Sequence, residues 1–234
     1  MENYRYNRNI LIEGWGEEGQ QKLKNSKVLV VGAGGLGSPV LLYLAAAGVG
    51  TLGIIDYDVV DISNLQRQII HQTVDVGRNK IESAREKLNA LNPDVNAIIY
   101  PEKLTEANVS DVIKDYDFII DCCDNYAGKF LINDACVREK KPYSHGAVLA
   151  LRGEVMTYVP GNACYRSVFD NPPEDGTAPT SAQAGILGSI AGVIGSIQAT
   201  EAIKYLTGIG ELILNKILIF DGKTMSFYSL KIGV

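Results

Sequence analysis

The first sharp signal along the chain is a short run, Lys27-Val28-Leu29-Val30-Val31, apolar after its first position and closed by Gly32. An unbroken apolar run of that length reads as a parallel strand covered on both faces. Residues 38–47 follow with helical spacing and stop at Gly48, a residue that tolerates the left-handed turn ending a helix. Residues 51–55 form a second apolar strand, ending in Asp56. In residues 77–92, Ile81, Ala84, Leu88 and Leu91 recur on one side of a helix, and Pro93 closes it. Strands over 95–100 and 117–121 alternate with helices over 106–114 and 127–139. This alternation predicts an α/β fold, a doubly wound, Rossmann-like and mostly parallel sheet with right-handed crossovers.

After Pro142 the pattern changes. Residues 154–159, 216–220 and 225–230 read as strands of an antiparallel C-terminal extension, and residues 160–180, rich in Pro, Gly, Asn and Asp, as a long loop. A structureless loop of that length in a compact domain is usually functional or mobile. Residues 182–202 are the most membrane-like stretch, but Gln183, Ser189, Ser196, Gln198 and Glu201 interrupt it. Its glycines suit close helix packing, so it reads as a buried core helix, and the apolar helix over 185–205 is the candidate for dimer and partner contacts. No linker divides the chain. It is expected to be one domain: an arm over 1–26, a half over 27–150 and a second half over 151–234.

The 234 residues suffice for one substantial core, and 46% apolar with 21% charged residues is ordinary soluble usage. A net charge of −5 argues against a general nucleic-acid or anionic-membrane binder, while leaving room for a local basic pocket. Met1-Glu2-Asn3-Tyr4-Arg5 lacks the apolar core of a signal peptide. The four cysteines, Cys122, Cys123, Cys136 and Cys164, contain no C-x-x-C pair, so reduced thiols and a cytoplasmic location are expected.

The chemistry begins at Gly32, Gly34 and Gly37, which fit G-x-G-x-x-G between a strand and a helix. Glycines let the backbone turn tightly and approach phosphates, and the following helix offers free N–H groups to anions. A glycine turn that merely packs helix on strand has the same spelling. Asp56, nineteen residues beyond Gly37 at the end of the next strand, stands where an acid commonly accepts ribose hydroxyls. To this point a nicotinamide-dependent oxidoreductase remains open. The next block, Asp61-Ile62-Ser63-Asn64-Leu65-Gln66-Arg67-Gln68, then Lys80, places cations beside the nucleotide. Hydride transfer has no need of them, whereas cleavage of a phosphoanhydride must stabilise charge on oxygen. Asp124 and Asn125 fall at the carboxyl end of another strand, an edge that lines the ligand crevice in such sheets. A carboxylate there can hold Mg²⁺, and an Asp or Asn there can equally cap the following helix.

Taken together, Arg5-Tyr6-Asn7-Arg8, the run Val28 through Gly37, Ala46-Ala47-Gly48-Val49-Gly50, Asp56-Tyr57-Asp58, Ser63 through Gln68, Gly77-Arg78-Asn79-Lys80 and Asp121-Cys122-Cys123-Asp124-Asn125 resemble the MoeB/ThiF/HesA family. These are bacterial relatives of ubiquitin-activating enzymes. The resemblance spans nearly the whole chain, through Gln198-Ala199-Thr200-Glu201-Ala202-Ile203-Lys204. It implies a homodimer that binds MgATP and adenylates the Gly-Gly terminus of a ubiquitin-like sulfur-carrier protein, in thiamin, molybdopterin or a related pathway. It further implies that Gly35 approaches the phosphates and Asp56 holds the ribose, with Asp58, Ser63 and Gln66 beside the nucleotide. Asn64, Arg67 and Lys80 would contact the phosphates, and Asp124 would serve Mg²⁺. Arg8 matches an arginine supplied to the neighbouring subunit's site. His71 and His145 are expected to be structural. Adenylation of another carboxylate, of a peptide or a modified nucleoside, and a non-catalytic nucleotide-binding scaffold are the alternatives.

Two departures from the family pattern stand out. Many relatives hold zinc with two C-x-x-C pairs; here the first reads Cys164-Tyr165-Arg166-Ser167 and no second follows, so no structural zinc is expected. Ser181 stands where many relatives have a cysteine, and a hydroxyl supplies no thiolate, persulfide or thioester. Sulfur insertion is then expected to fall to a separate donor, with Cys164 as the substitute thiol if the chain makes a covalent step itself.

Overall fold

The computed structural model describes residues 5–174, 177 and 181–233, with the side chains of residues 181 and 182 outside that description. Its strands are β1 (Lys27–Val31), β2 (Thr51–Ile55), β3 (Asn96–Tyr100), β4 (Phe118–Asp121), β5 (Tyr143–Leu149), β6 (Arg152–Tyr158), β7 (Lys216–Asp221) and β8 (Ser226–Lys231). They form one sheet in the order β3-β2-β1-β4-β5-β6-β7-β8. The first five run parallel, and β6, β7 and β8 add on antiparallel. The strand order reverses between β1 and β4, which opens a crevice above their carboxyl ends. The expected doubly wound sheet with an antiparallel extension is therefore the fold observed.

The helices are α1 (Asn7–Ile10), α2 (Gly16–Asn25), α3 (Gly37–Ala47), α4 (Lys80–Leu91), α5 (Val109–Ile113), α6 (Tyr126–Arg138), α7 (Ser181–Ala184) and α8 (Gly188–Thr207). Alternate residues of each strand enter different cores, as the strand period of two requires. Val28, Val30, Leu52, Ile54, Phe118 and Ile120 pack beneath α3, α4 and α8. Leu29, Val31, Ile55 and Ile119 pack beneath α5 and α6. Burial on both faces is why β1, β2 and β4 read as unbroken apolar runs.

Four expectations change. β5 was absent from the sequence reading because Ser144, His145 and Gly146 interrupt its apolar character, yet Ser144 and His145 are buried. The helix expected over 106–114 is only Val109–Ile113. Ahead of it, Asn108 Oδ1 accepts the Thr105 N–H at 2.7 Å, a side-chain turn that competes with helix. The 160–180 segment is not structureless throughout: Tyr165–Ser167 is a 3-10 turn, and Ala163 and Tyr165 are buried. Residues 175, 176 and 178–180 of that segment lie outside the described residues. The helix read from residue 185 begins at Gly188.

α8 is a core helix. Gln198 Nε2 donates to the Asp121 carbonyl at 2.9 Å, and buried Glu201 accepts from Thr157 Oγ1 and the Ile213 N–H, both at 2.7 Å. Among the described residues, no helix is long and apolar enough to cross a membrane. The arm docks at the far end of the sheet, where Asn92 Nδ2 bridges Tyr6 Oη (2.8 Å) and the Ala45 carbonyl (2.7 Å).

Candidate active site

The crevice between β1 and β4 holds about 1230 Å³ counting its open mouth. The turn after β1 forms its floor. Gly32 sits at φ +102°, and a Cβ there would lie 2.9 Å from the Cys122 carbonyl oxygen. A Cβ on Gly37 would lie 2.0 Å from the Gly32 carbonyl oxygen, so Gly37 closes the turn and does not line the cleft. Gly34 and Gly35 do line it, beneath Gln68 and Arg67. α3 starts at this point without a side-chain cap, its Ser38 amide donating to the Gly34 carbonyl at 2.9 Å.

Asp56 has a second task besides the one expected of it. Its Oδ2 accepts the Ala33 N–H at 2.8 Å and its Oδ1 accepts the Asp58 N–H at 2.9 Å, so it holds the glycine turn. Each carboxylate oxygen keeps a further lone pair for a ribose hydroxyl. The Ala33 carbonyl is clamped from the other side by His71, whose Nε2 donates at 3.0 Å while Nδ1 accepts from Ser83 Oγ at 2.9 Å. That tautomer follows from the hydrogen-bond network, and burial pushes the His71 pKa down, favouring the neutral ring.

The Ser63–Gln68 block divides. Asp61 caps the 3-10 turn Ile62–Asn64, its Oδ1 accepting the Ser63 N–H (2.8 Å) and hydroxyl (2.6 Å), while Asn64 Oδ1 accepts the Asp61 N–H (3.2 Å). Ser63, Asn64 and Gln66 do not line the cleft, and Gln66 instead donates to the Ile186 carbonyl at 3.5 Å. Arg67 and Gln68 do line it. Arg67 is steadied by a 3.2 Å bond to the Ser63 carbonyl. Lys80, the first residue of α4, is buried to 6% exposure and pairs with Asp58 at 2.8 Å.

Asp124 and Asn125 lie at the rim after β4. Asn125 also caps α6, its Oδ1 accepting the Gly128 N–H at 2.9 Å, and its Nδ2 donates to Asp124 at 3.3 Å. Arg8, by contrast, is exposed on α1. Its neighbour Asn9 bonds the carbonyl of Ala47, the last residue of α3, whose first turn borders the cleft. Eleven helical residues span about 16 Å, so Arg8 stands roughly a helix length from its own glycine turn.

Sequence reasoning missed Gln68, Tyr57 and the wall Glu102, Lys103 and Leu104. Gln68 closes the 63–68 segment, directly after Arg67. The others follow β2 and β3 directly, so the rule that carboxyl ends line the crevice applies to them too. Lys103 Nζ lies 5.9 Å from the Tyr57 ring centre. Asp58, followed by partial burial and Asp124, raises the Tyr57 pKa. The lining carries four carboxylates, Asp56, Asp58, Glu102 and Asp124, against three cations, Arg67, Lys80 and Lys103. Cys164-Tyr165-Arg166-Ser167 folds as a reciprocal cap, with Ser167 Oγ accepting the Cys164 N–H at 3.0 Å. Among the described residues, no three His, Cys, Asp or Glu side chains cluster as a metal site.

Residues 6–233 match the model of the ThiF family. The chain belongs to the ThiF family. This ThiF-family chain is 46% identical over 233 residues to the "Probable adenylyltransferase/sulfurtransferase MoeZ" of Mycobacterium tuberculosis, covering 97% of itself and 59% of that protein. It is 44% identical to the "Adenylyltransferase and sulfurtransferase MOCS3" of Aedes aegypti, over 97% of this chain and 52% of that one. The "SAMP-activating enzyme E1" of Haloferax volcanii is 45% identical, over 95% and 83% respectively. The chain thus spans little more than half of the first two relatives. Among solved structures it is similar to E. coli MccB with ATP (TM-score 0.87, 25% identity, 98% of this chain and 71% of that one). It is equally similar to MccB in complex with N-formylated MccA (TM-score 0.88, 25% identity, 99% and 73%).

Proposed function

We propose that this ThiF-family chain uses ATP to adenylate the C-terminal Gly-Gly carboxylate of a ubiquitin-like sulfur-carrier protein, releasing pyrophosphate, in sulfur-cofactor biosynthesis. The observation that carries this reading is the convergence of Arg67 and buried Lys80 on the glycine turn at the switch point of the sheet. The relatives named as adenylyltransferases and activating enzymes, and the ATP-bound structural neighbour, support it.

The carrier carboxylate is ionised at neutral pH, so it attacks the α-phosphorus without a general base. An oxygen–phosphorus bond forms to give the acyl-adenylate as the bond to the β-phosphate oxygen breaks, and the electron pair leaves with pyrophosphate. Positioning and charge stabilisation supply the catalysis. Gly34 and Gly35 admit the phosphates, Asp56 holds the ribose, and Arg67 and Lys80 meet the phosphate oxygens, with Asn64 behind them in the turn, its carbonyl accepting the Arg67 N–H. Ser63 and Gln66 shape the block that presents Arg67, and Asp58 holds Lys80 until the nucleotide arrives.

A lining with one more carboxylate than cations cannot balance a triphosphate, so further positive charge must come from outside the cleft wall. Asp124 and its neighbour Asn125 offer the one or two oxygen ligands that Mg²⁺ takes alongside phosphates, and Mg²⁺ would neutralise phosphate charge there. Arg8, a helix length from its own cleft, would complete the site of a second copy in a homodimer. Four free thiols and the demand for ATP suit the cytoplasm.

The test is carrier-dependent exchange of labelled pyrophosphate into ATP, with candidate proteins ending in Gly-Gly and Asp124→Ala as control. Exchange that needs the carrier, and that falls about a hundredfold or more in the variant, supports the reading. Exchange driven by a peptide carboxylate, or none despite ATP binding, refutes it.

A further inference from the structure

Behind the nucleotide-facing end of β4 lies a closed set of four ionisable side chains that this chemistry does not use. Asp121, the last residue of β4, is fully buried. Its Oδ1 accepts the Cys123 N–H at 2.9 Å and so sets the turn that presents Asp124. Its Oδ2 accepts from His145 Nδ1 at 2.8 Å and from Lys129 Nζ at 3.3 Å. Lys129 also donates to the Gly146 carbonyl at 2.7 Å. The other ring nitrogen of buried His145, Nε2, faces Glu154 Oε1 at 3.4 Å.

Hydrogen-bond accounting determines how many protons this set holds. An ionised carboxylate only accepts, and a neutral imidazole has one donor and one acceptor. Since Nδ1 donates to Asp121, Nε2 and Oε1 would be two acceptors face to face unless a proton lies between them. One proton therefore belongs to that pair, and because the His145 hydrogen bond holds the Glu154 carboxyl below its ordinary value, the ring carries it at Nε2. With it, Asp121, Lys129, His145 and Glu154 sum to zero charge. Without it, the set carries one net negative charge, a cost lowered by the 28% exposure of the Glu154 side chain but not removed, because Asp121 and His145 beside it are buried. Burial opposes ionisation of Asp121 and Glu154, yet the Lys129 charge and the His145 hydrogen bonds hold both carboxyls below their ordinary values. The remaining groups packed on the set stay neutral. Burial raises the pKa of Tyr165, Cys122 and Cys123, and Gln198 of α8 carries no charge.

We propose that His145 and Glu154 are positioning residues for adenylation, their shared proton holding Asp121 and, through the Cys123 amide, the turn that presents Asp124 and Asn125. The proposal rests on the adenylation reading for its consequence but not for the proton itself, and the two are tested apart.

The chain has only two histidines, His71 and His145, so ¹⁵N-histidine NMR reads the His145 ring directly once His145→Gln assigns it. Glu154→Gln is expected to convert the ring to the neutral tautomer protonated at Nδ1 alone. An unchanged ring signal overturns the proposal, whether or not the protein adenylates anything. In the exchange assay, His145→Gln leaves the Glu154 charge uncompensated, and kcat at neutral pH is expected to fall about tenfold. His145→Gln with Glu154→Gln restores neutrality and is expected to recover most of that loss. A purely structural role makes the double variant at least as impaired as the single, and that result overturns the proposal. If His145→Gln does not fold, His71→Gln assigns the two rings instead and the Glu154→Gln spectrum decides: an unchanged His145 signal refutes the proposal. Absence of wild-type exchange with any carrier refutes adenylation and leaves the NMR result to judge the proton.

Discussion

Gly34 and Gly37 are three residues apart in one turn, yet replacing each with alanine should damage the protein in different ways. A methyl at Gly37 would sit 2.0 Å from the Gly32 carbonyl oxygen and 3.0 Å from its carbon. An ordinary carbon–oxygen contact is near 3.4 Å, so the start of α3 must move by about 1.4 Å, and both atoms are backbone. Overpacking of that kind costs about 1–3 kcal/mol, which for a chain of this size lowers Tm by roughly 2–12 °C. A methyl at Gly34 would meet only Gln68 Nε2, at 3.6 Å, an ordinary contact, and the backbone there is not in the left-handed region. Restricting the unfolded chain should then stabilise Gly34→Ala slightly, by about 0.4–1 kcal/mol. The same methyl occupies the space through which a phosphate approaches the turn. Loss of about 1–3 kcal/mol of phosphate contact would weaken ATP binding by roughly 5- to 150-fold. Differential scanning calorimetry and ATP titration calorimetry on both variants separate the effects. If Gly34→Ala melts as early as Gly37→Ala, or binds ATP like the wild type, the assignment of Gly34 to the ligand and Gly37 to the fold is wrong.

Lys80→Met removes a buried cation already oriented by Asp58, and carrier-dependent exchange is expected to drop by about 10²–10³ while the fold, monitored by circular dichroism, persists. If Arg8 serves a second copy, inactive Arg8→Ala and Lys80→Met proteins mixed and re-equilibrated should regain about a quarter of wild-type sites, since half the dimers are mixed and each has one intact site; no recovery places Arg8 outside the reaction. Asp75 is fully buried between Arg78 and Lys87. Asp75→Asn leaves Arg78 and Lys87 only Glu86 as a charged partner and should cost about 1–3 kcal/mol in urea unfolding. Burial opposes ionisation of Asp75, but the Gln72 amide and Lys87 hold its carboxyl below the ordinary value. A carboxyl depressed in the folded state stabilises above its unfolded pKa of about 4 and loses that contribution as pH falls through the folded value. Acid unfolding of the wild type is therefore expected below about pH 4, and Asp75→Asn should flatten that dependence; an unchanged acid limb would exclude Asp75 as its source.

Much was legible in the sequence because it is local. The strand Lys27–Val31, the glycine turn and α3 are contiguous, and periodicity with glycine chemistry suffices to read them. Asp56 and Asp124 were placed at strand ends by the same logic, and both line the cleft. β5 was not legible, because the partner that allows His145 to be buried, Asp121, comes from another strand. The turn at Tyr165 was hidden in a segment whose composition says loop, since its burial comes from α6, where Phe130 packs edge-on at 5.1 Å.

The amino-acid pattern by itself determined the fold class, the family, the phosphate-type turn and the order of charged residues around it. Only the tertiary structure decided which of those residues meet. It turned Asp56 into a clamp on Ala33, set Lys80 against Asp58, kept Ser63, Asn64 and Gln66 off the cleft wall and sent Arg8 to the other end of α3. It also joined Asp121, Lys129, His145 and Glu154 into one hydrogen-bonded set drawn from β4, α6, β5 and β6. Periodicity reports which face of an element is buried. Charge pairing between elements depends on sheet order and register, and no window of sequence contains those.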